Sequence, residues 1–180
     1  CFDKHREDLY YKDYSNYGIL SLTDIYDDIV MWSYYADMHK GVCIKFNAKK
    51  LIFSGLFNSG FKVIYDDKYP LLDILALINP KTDIEINLFI LMFFNKHISW
   101  KYENEYRIIK IFGHYRGKET SNQRKVKIDN DYIEEVILGF RFPNDKMDEI
   151  KSVCREKGIP IYQMKNIPFQ YKIEKQLIQE

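Results

Sequence analysis

Met31-Trp-Ser-Tyr-Tyr-Ala-Asp-Met-His-Lys-Gly-Val-Cys-Ile-Lys-Phe46 changes its apolar period halfway, and that change decides the class of fold. Met31, Tyr34, Tyr35 and Met38 recur at helical spacing, whereas Val42, Ile44 and Phe46 alternate as in a strand. Gly41 lies between the halves, where a helix stop needs a residue tolerant of positive φ. The stretch therefore predicts a short amphipathic helix, a glycine stop and a half-buried strand.

Outward from this segment, the same test predicts strands at 19–23, 62–65, 106–112, 126–128, 135–139, 159–162 and 171–173. Helices are predicted at 4–13, ended by Gly18, at 71–78, at 83–97, and from Pro143-Asn144 to Gly158 with Met147, Ile150 and Cys154 on one face. Phe57-Asn-Ser-Gly60 reads as a turn. Strands and helices do not alternate regularly, so the class is α+β, with a split, mostly antiparallel sheet flanked by helices. No repeat, low-complexity segment or linker interrupts residues 1–180, which read as a single domain.

With 46% apolar residues the chain has ample material for a core. Its 27 basic and 26 acidic residues leave a net charge of +1, which gives no support to a nucleic-acid binder. Cys1, Cys43 and Cys154 are far apart and form no CxxC pair, an arrangement suited to a reducing, cytoplasmic compartment and not to a zinc site. The most apolar run, Ile84 to Phe94, is about half the ~20 residues of a membrane span and includes Glu85 and Asn87, so no membrane association is expected.

Three constellations can carry chemistry. Glu103, Glu105 and Arg107, if extended, project from one strand face, where two carboxylates and a guanidinium can stabilise a cationic transition state and hold an anionic substrate. The same spacing equally describes a solvated strand face with same-strand ion pairs. Ser21 and Thr23 share a strand face; their hydroxyls suit a sugar or phosphate, or merely cap a turn. Trp32, Tyr34, Tyr35 and His39 form either a stacking platform or a packed helix face. The pairs Asp27-Asp28 and Asp66-Asp67 evoke magnesium ligands of a nuclease, yet their spacing is loose and they read as turn residues. No metal site, glycine-rich phosphate loop or nucleophile elbow is expected.

Taken in order, these blocks resemble a widespread bacterial family, domain of unknown function 2971. Its pattern is matched by Ser21-Leu-Thr23, by Met31-Trp-Ser-Tyr-Tyr-Ala-Asp37, by Lys40-Gly-Val-Cys-Ile-Lys-Phe46, by Trp100 with Glu103-Asn-Glu-Tyr-Arg107, and by Val136-Ile-Leu-Gly139. The resemblance implies a fold similar to the ADP-ribosyltransferases, with toxin or phage-defence settings and NAD as substrate. It implies that Ser21 and Thr23 contact the nicotinamide ribose, that Tyr34 or Tyr35 stacks on nicotinamide, and that Arg107 belongs to the binding face. Glu105 or Glu103 would orient the ribose and stabilise the oxocarbenium ion, the other acid activating the acceptor. The implied partner is a macromolecular target or an antitoxin-like protein. The family's first strand and its Asn-Asp-Pro-Phe turn find no match, so the resemblance implies a chain without its natural N-terminal strand, a site built differently, or a protein without transferase activity. On this reading Glu105→Gln abolishes nicotinamide release and leaves thermal stability nearly unchanged.

Overall fold

The structure, a computed structural model, describes residues 17–68, 93–112 and 124–178. In chain order its elements are β1 (Tyr17–Thr23), α1 (Ile29–Tyr35), β2 (Val42–Phe46), α2 (Ala48–Phe53), β3 (Ser59–Lys62), β4 (Ile64–Asp66) and β5 (Asn95–His97). A 3-10 segment (Ile98–Glu103), β6 (Glu105–Ile111), β7 (Ile133–Leu138), α3 (Met147–Glu156), β8 (Ile161–Asn166) and β9 (Ile173–Leu177) follow. The class is mixed α+β, as expected. The helices expected at 4–13 and 71–78 lie outside the described residues.

The chain divides into two compact units. Cys1–Asp24 and Phe57–Arg124 form the first; Ile25–Leu56 and Lys125–Glu180 form the second.

In the first unit, β6 is the middle strand of an antiparallel sheet ordered β1-β6-β3, and β4 pairs in parallel with β5. One face of β6 carries Glu105, Arg107, Ile109 and Ile111, directly opposite Thr23, Ser21, Ile19 and Tyr17 of β1. Ile109 and Ile111 pack with Tyr17, Phe93 and Phe94, so this face is core at one end and charged at the other. The helix expected over 83–97 fails at its described end: Asn95–His97 is a strand. The strand expected at 62–65 is two strands meeting at buried Val63, and Ser59 and Gly60 belong to β3 instead of a turn.

In the second unit the sheet order is β2-β7-β8-β9, antiparallel except for β7 and β8, which run parallel on either side of α3. Val136, Ile137 and Leu138 of β7 are all buried, as a central strand requires. Ile137 packs with Trp32, Ala36, Met164 and Ile173; Val136 and Leu138 pack with Cys154 and Ile159. α1 thus covers one face of the sheet and α3 the other. Asp28 starts α1 by accepting the Met31 N–H at 2.8 Å, and Trp32 is fixed by donating from Nε1 to the Tyr26 carbonyl at 2.7 Å. Gly158, at φ +65°, closes α3 as expected, while residues 126–128 form no strand. The short helix α2, capped by Asn47, is not signalled by period.

The opening stretch departs from expectation in its faces, since Trp32 and Ala36 are buried and Cys43 packs on the core while Tyr34, Tyr35, Met38, Val42 and Ile44 are exposed, and in the turn after the helix. α1 stops at Tyr35, and Asp37, Met38 and His39 are all left-handed, with φ of 44°, 50° and 68°. Each such non-glycine residue is disfavoured by roughly 1–2 kcal/mol. The turn is held by His39 N–H on the Trp32 carbonyl (3.2 Å), Gly41 N–H on the Ala36 carbonyl (2.8 Å) and Arg141 N–H on the His39 carbonyl (3.0 Å). Gly41 is needed for space rather than for φ, because a Cβ there would lie 3.0–3.1 Å from the Ala36 backbone.

His39 is buried between the Trp32 and Phe140 rings. Ser33 donates its one proton to the Ile29 carbonyl at 2.9 Å, so the 3.0 Å contact with His39 requires Nε2–H to be the donor. Nδ1 is then a buried lone pair with no hydrogen-bond partner among the described residues. Burial, aided by the charge of Arg141, lowers the imidazole pKa below its usual 6.5. The unfolded chain takes up this proton as pH falls through about 6.5 and the folded chain does not. Stability from His39 is therefore complete above that pH and declines below it, by at most about 1.4 kcal/mol per pH unit. Urea midpoints at about pH 7.5 and about pH 5.5 are expected to diverge less in His39→Gln than in the wild type.

Candidate functional site

The charged end of the β6 face is the candidate site. Glu103 and Glu105 are 3% and 7% exposed, an unusual burial for carboxylates. They do not share an extended strand. Glu103 ends the 3-10 segment, Asn104 is left-handed at φ 42°, and β6 begins only at Glu105. This kink turns both acids toward one ammonium: Lys96 Nζ donates to Glu103 Oε2 and, at 3.3 Å, to Glu105 Oε2.

Arg107 clasps Glu105 with two parallel bonds, Nε to Oε1 at 2.9 Å and Nη2 to Oε2 at 3.0 Å, and its Nη1 donates to the Phe93 carbonyl at 2.6 Å. Tyr65 accepts the Glu105 backbone N–H at 2.8 Å. Burial works to raise the Glu105 pKa, but the bonds from Arg107 and Ser21 and the charges of Arg107 and Lys96 hold it at about 2. For Lys96, burial opposes the charge, yet the bond to Glu103 and the fields of both carboxylates raise its pKa. Both groups are ionised across the physiological range.

Ser21, Thr23, Glu103, Glu105 and Arg107 are thus brought together in the first unit. Their roles differ from a row of open binding groups. Thr23 donates to the Glu103 carbonyl at 2.7 Å, fastening β1 to the kink. Asn104 donates to Asp24 beside it. Tyr34 and Tyr35 belong to the second unit, where they are 70% and 61% exposed. Asp28 is the α1 cap, and Asp66 accepts the Lys68 N–H at 3.0 Å. No metal-binding group of His, Cys, Asp or Glu exists among the described residues. Burial raises the pKa of both Cys43 and Cys154, so neither thiol is poised as a nucleophile.

Sequence reasoning missed Lys96 and Tyr65, whose strands β4 and β5 place them opposite each other. It also missed the purpose of Trp100, whose ring centroid lies 4.9 Å from the Lys96 ammonium. The one available signal was the end of the apolar run at Phe94, after which Asn95-Lys96-His97 no longer suits a buried helix.

The fold and this site define a mixed α+β protein built around a buried, charge-balanced carboxylate pair. Residues 31–108 match the family model described as Protein of unknown function (DUF2971). No curated protein and no solved structure matches the chain. Among the described residues no helix is long and apolar enough to cross a membrane.

Proposed function

We propose that the Glu105 cluster is the carboxylate end of an NAD site, and that the protein is an ADP-ribosyltransferase-like enzyme. The observation that supports this most is a carboxylate withdrawn from water yet ionised down to about pH 2. In glycosyl transfer from NAD, the bond between ribose C1′ and the nicotinamide nitrogen breaks, and its electron pair leaves with nicotinamide. The ribose becomes an oxocarbenium ion, which a fixed anion in a low-dielectric setting stabilises. A hydroxyl or amine of a macromolecular acceptor then bonds to C1′ and gives up its proton, for which Glu103 is the nearby base. Ser21 and Arg107 hold the Glu105 carboxylate in place, and Ser21 is the ribose-facing hydroxyl. A macromolecular target, with an antitoxin-like protein as regulator, is the partner class, and the cytoplasm is the setting.

A second reading, a non-catalytic nucleotide- or protein-binding module, is favoured by the two-bond clasp of Arg107 on Glu105, which satisfies both groups internally. Incubation with NAD and chromatographic detection of nicotinamide separates the two. Release that scales with protein concentration supports the transferase. Calorimetric NAD binding without release supports the module. Neither binding nor release overturns the NAD reading.

A further inference from the structure

We infer that Lys96 and Tyr65 form a clamp that positions the carboxylate pair, with Lys96 the bridge on which the placement of Glu103 relative to Glu105 depends. The clamp comes from the parallel pair β4–β5, in which Tyr65 and Lys96 are register partners on one side. Tyr65 holds the Glu105 main chain through its N–H, while Lys96 holds the Glu105 side chain and reaches across to Glu103. Two carboxylates converging without a cation between them repel, and one of them protonates or turns away. The Lys96 ammonium removes that repulsion and fixes the separation of the acids. The Trp100 ring lies against the ammonium. Trp100, Glu103 and Glu105 therefore all meet Lys96, and Arg107 joins them through Glu105. Among the described residues, the titratable and charged groups facing Lys96 and the pair are Glu103, Glu105, Arg107 and Tyr65.

The part this clamp plays in turnover rests on the transferase reading; the clamp itself does not. Side-chain carboxyl NMR titration is the test. Lys96→Met is expected to move the Glu105 midpoint up by about one pH unit, while Lys96→Arg, which keeps a cation, leaves it near the wild-type value. A role limited to packing of the lysine stem lowers the melting temperature in both variants and leaves the Glu105 midpoint unmoved. Glu103→Gln reads the same bridge without altering Lys96: the ammonium midpoint, raised in the wild type, is expected to fall. In nicotinamide release, Lys96→Met is expected to lower kcat about tenfold or more with KM for NAD changed by less than about threefold. A shifted Glu105 midpoint in a protein that releases no nicotinamide keeps the clamp and removes the transferase reading. An unmoved Glu105 midpoint in Lys96→Met, or an unmoved Lys96 midpoint in Glu103→Gln, overturns the clamp whatever the activity.

Discussion

Glu105→Gln is expected to reduce nicotinamide release by about a hundredfold to a thousandfold, the usual consequence of removing a fixed group that faces developing charge. The structure changes the second half of the expectation drawn from sequence. Stability does not stay level, because the substitution strips Arg107 of its two-bond partner and Lys96 of one of two carboxylates inside a poorly solvated face. Removing one member of such a buried group costs about 3–5 kcal/mol, and the partial exposure of Lys96 and Arg107, 22% and 16%, moves this toward the lower figure. The assay must therefore run where circular dichroism shows the variant folded. Unchanged release in the folded variant excludes Glu105 as the catalytic acid. The stabilising part of Glu105 has a definite pH window. Its folded pKa is depressed to about 2, so its contribution is present above the unfolded value of about 4.5 and is lost as pH falls toward 2.

Gly139→Ala is expected to be the most damaging small substitution in the second unit. A Cβ at that position would sit 1.9 Å from the His39 carbonyl oxygen and 2.5 Å from its carbon. Both neighbours are backbone atoms, so no side-chain rotation relieves the overlap. The obstacle is also the turn of three left-handed residues, already held by a few hydrogen bonds that include Gly139 N–H on the Gly41 carbonyl at 3.0 Å. A loss of about 3 kcal/mol or more in urea unfolding is expected. Gly55→Ala, where φ is +72° and nothing lies within 4 Å of the added carbon, is expected to cost only about 1 kcal/mol from backbone strain. Similar losses at the two positions refute the packing argument.

Period and burial made the sheet legible. β2 spans the residues that alternate, although Cys43 and not Val42 or Ile44 packs on the core, and β7 reads as central because three consecutive apolar residues have no polar side to show. The carboxylates were legible as residues of interest but not as geometry. The spacing of Glu103, Glu105 and Arg107 fits an extended chain, and only the left-handed Asn104 breaks it. The tolerance of asparagine for that conformation is a weak signal inside a strand-like pattern. Lys96 was hidden for a different reason. It follows a long apolar run whose helical reading leaves no cause to separate the last three residues, and its strand partner Tyr65 lies well before it in sequence. The strained turn after Tyr35 was invisible because helical spacing continues to Met38 although the helix does not.

The chain leaves the first unit after Asp24, builds part of the second, returns at Phe57 and departs again after Arg124. During synthesis neither unit can close with what it first receives. Thr23 waits 80 residues for Glu103, and Lys45 waits 90 for Glu135. Contacts of such long range make for slow folding and prolonged exposure of apolar surface. The segment 31–108 that matches the family model contains most of α1 and all of β2 but not β7, whose Ile137 packs with Trp32. Cut out along those borders, it would hold only a part of each unit, and a nascent chain halted there would display the Trp32 face to whatever chaperone reaches it first.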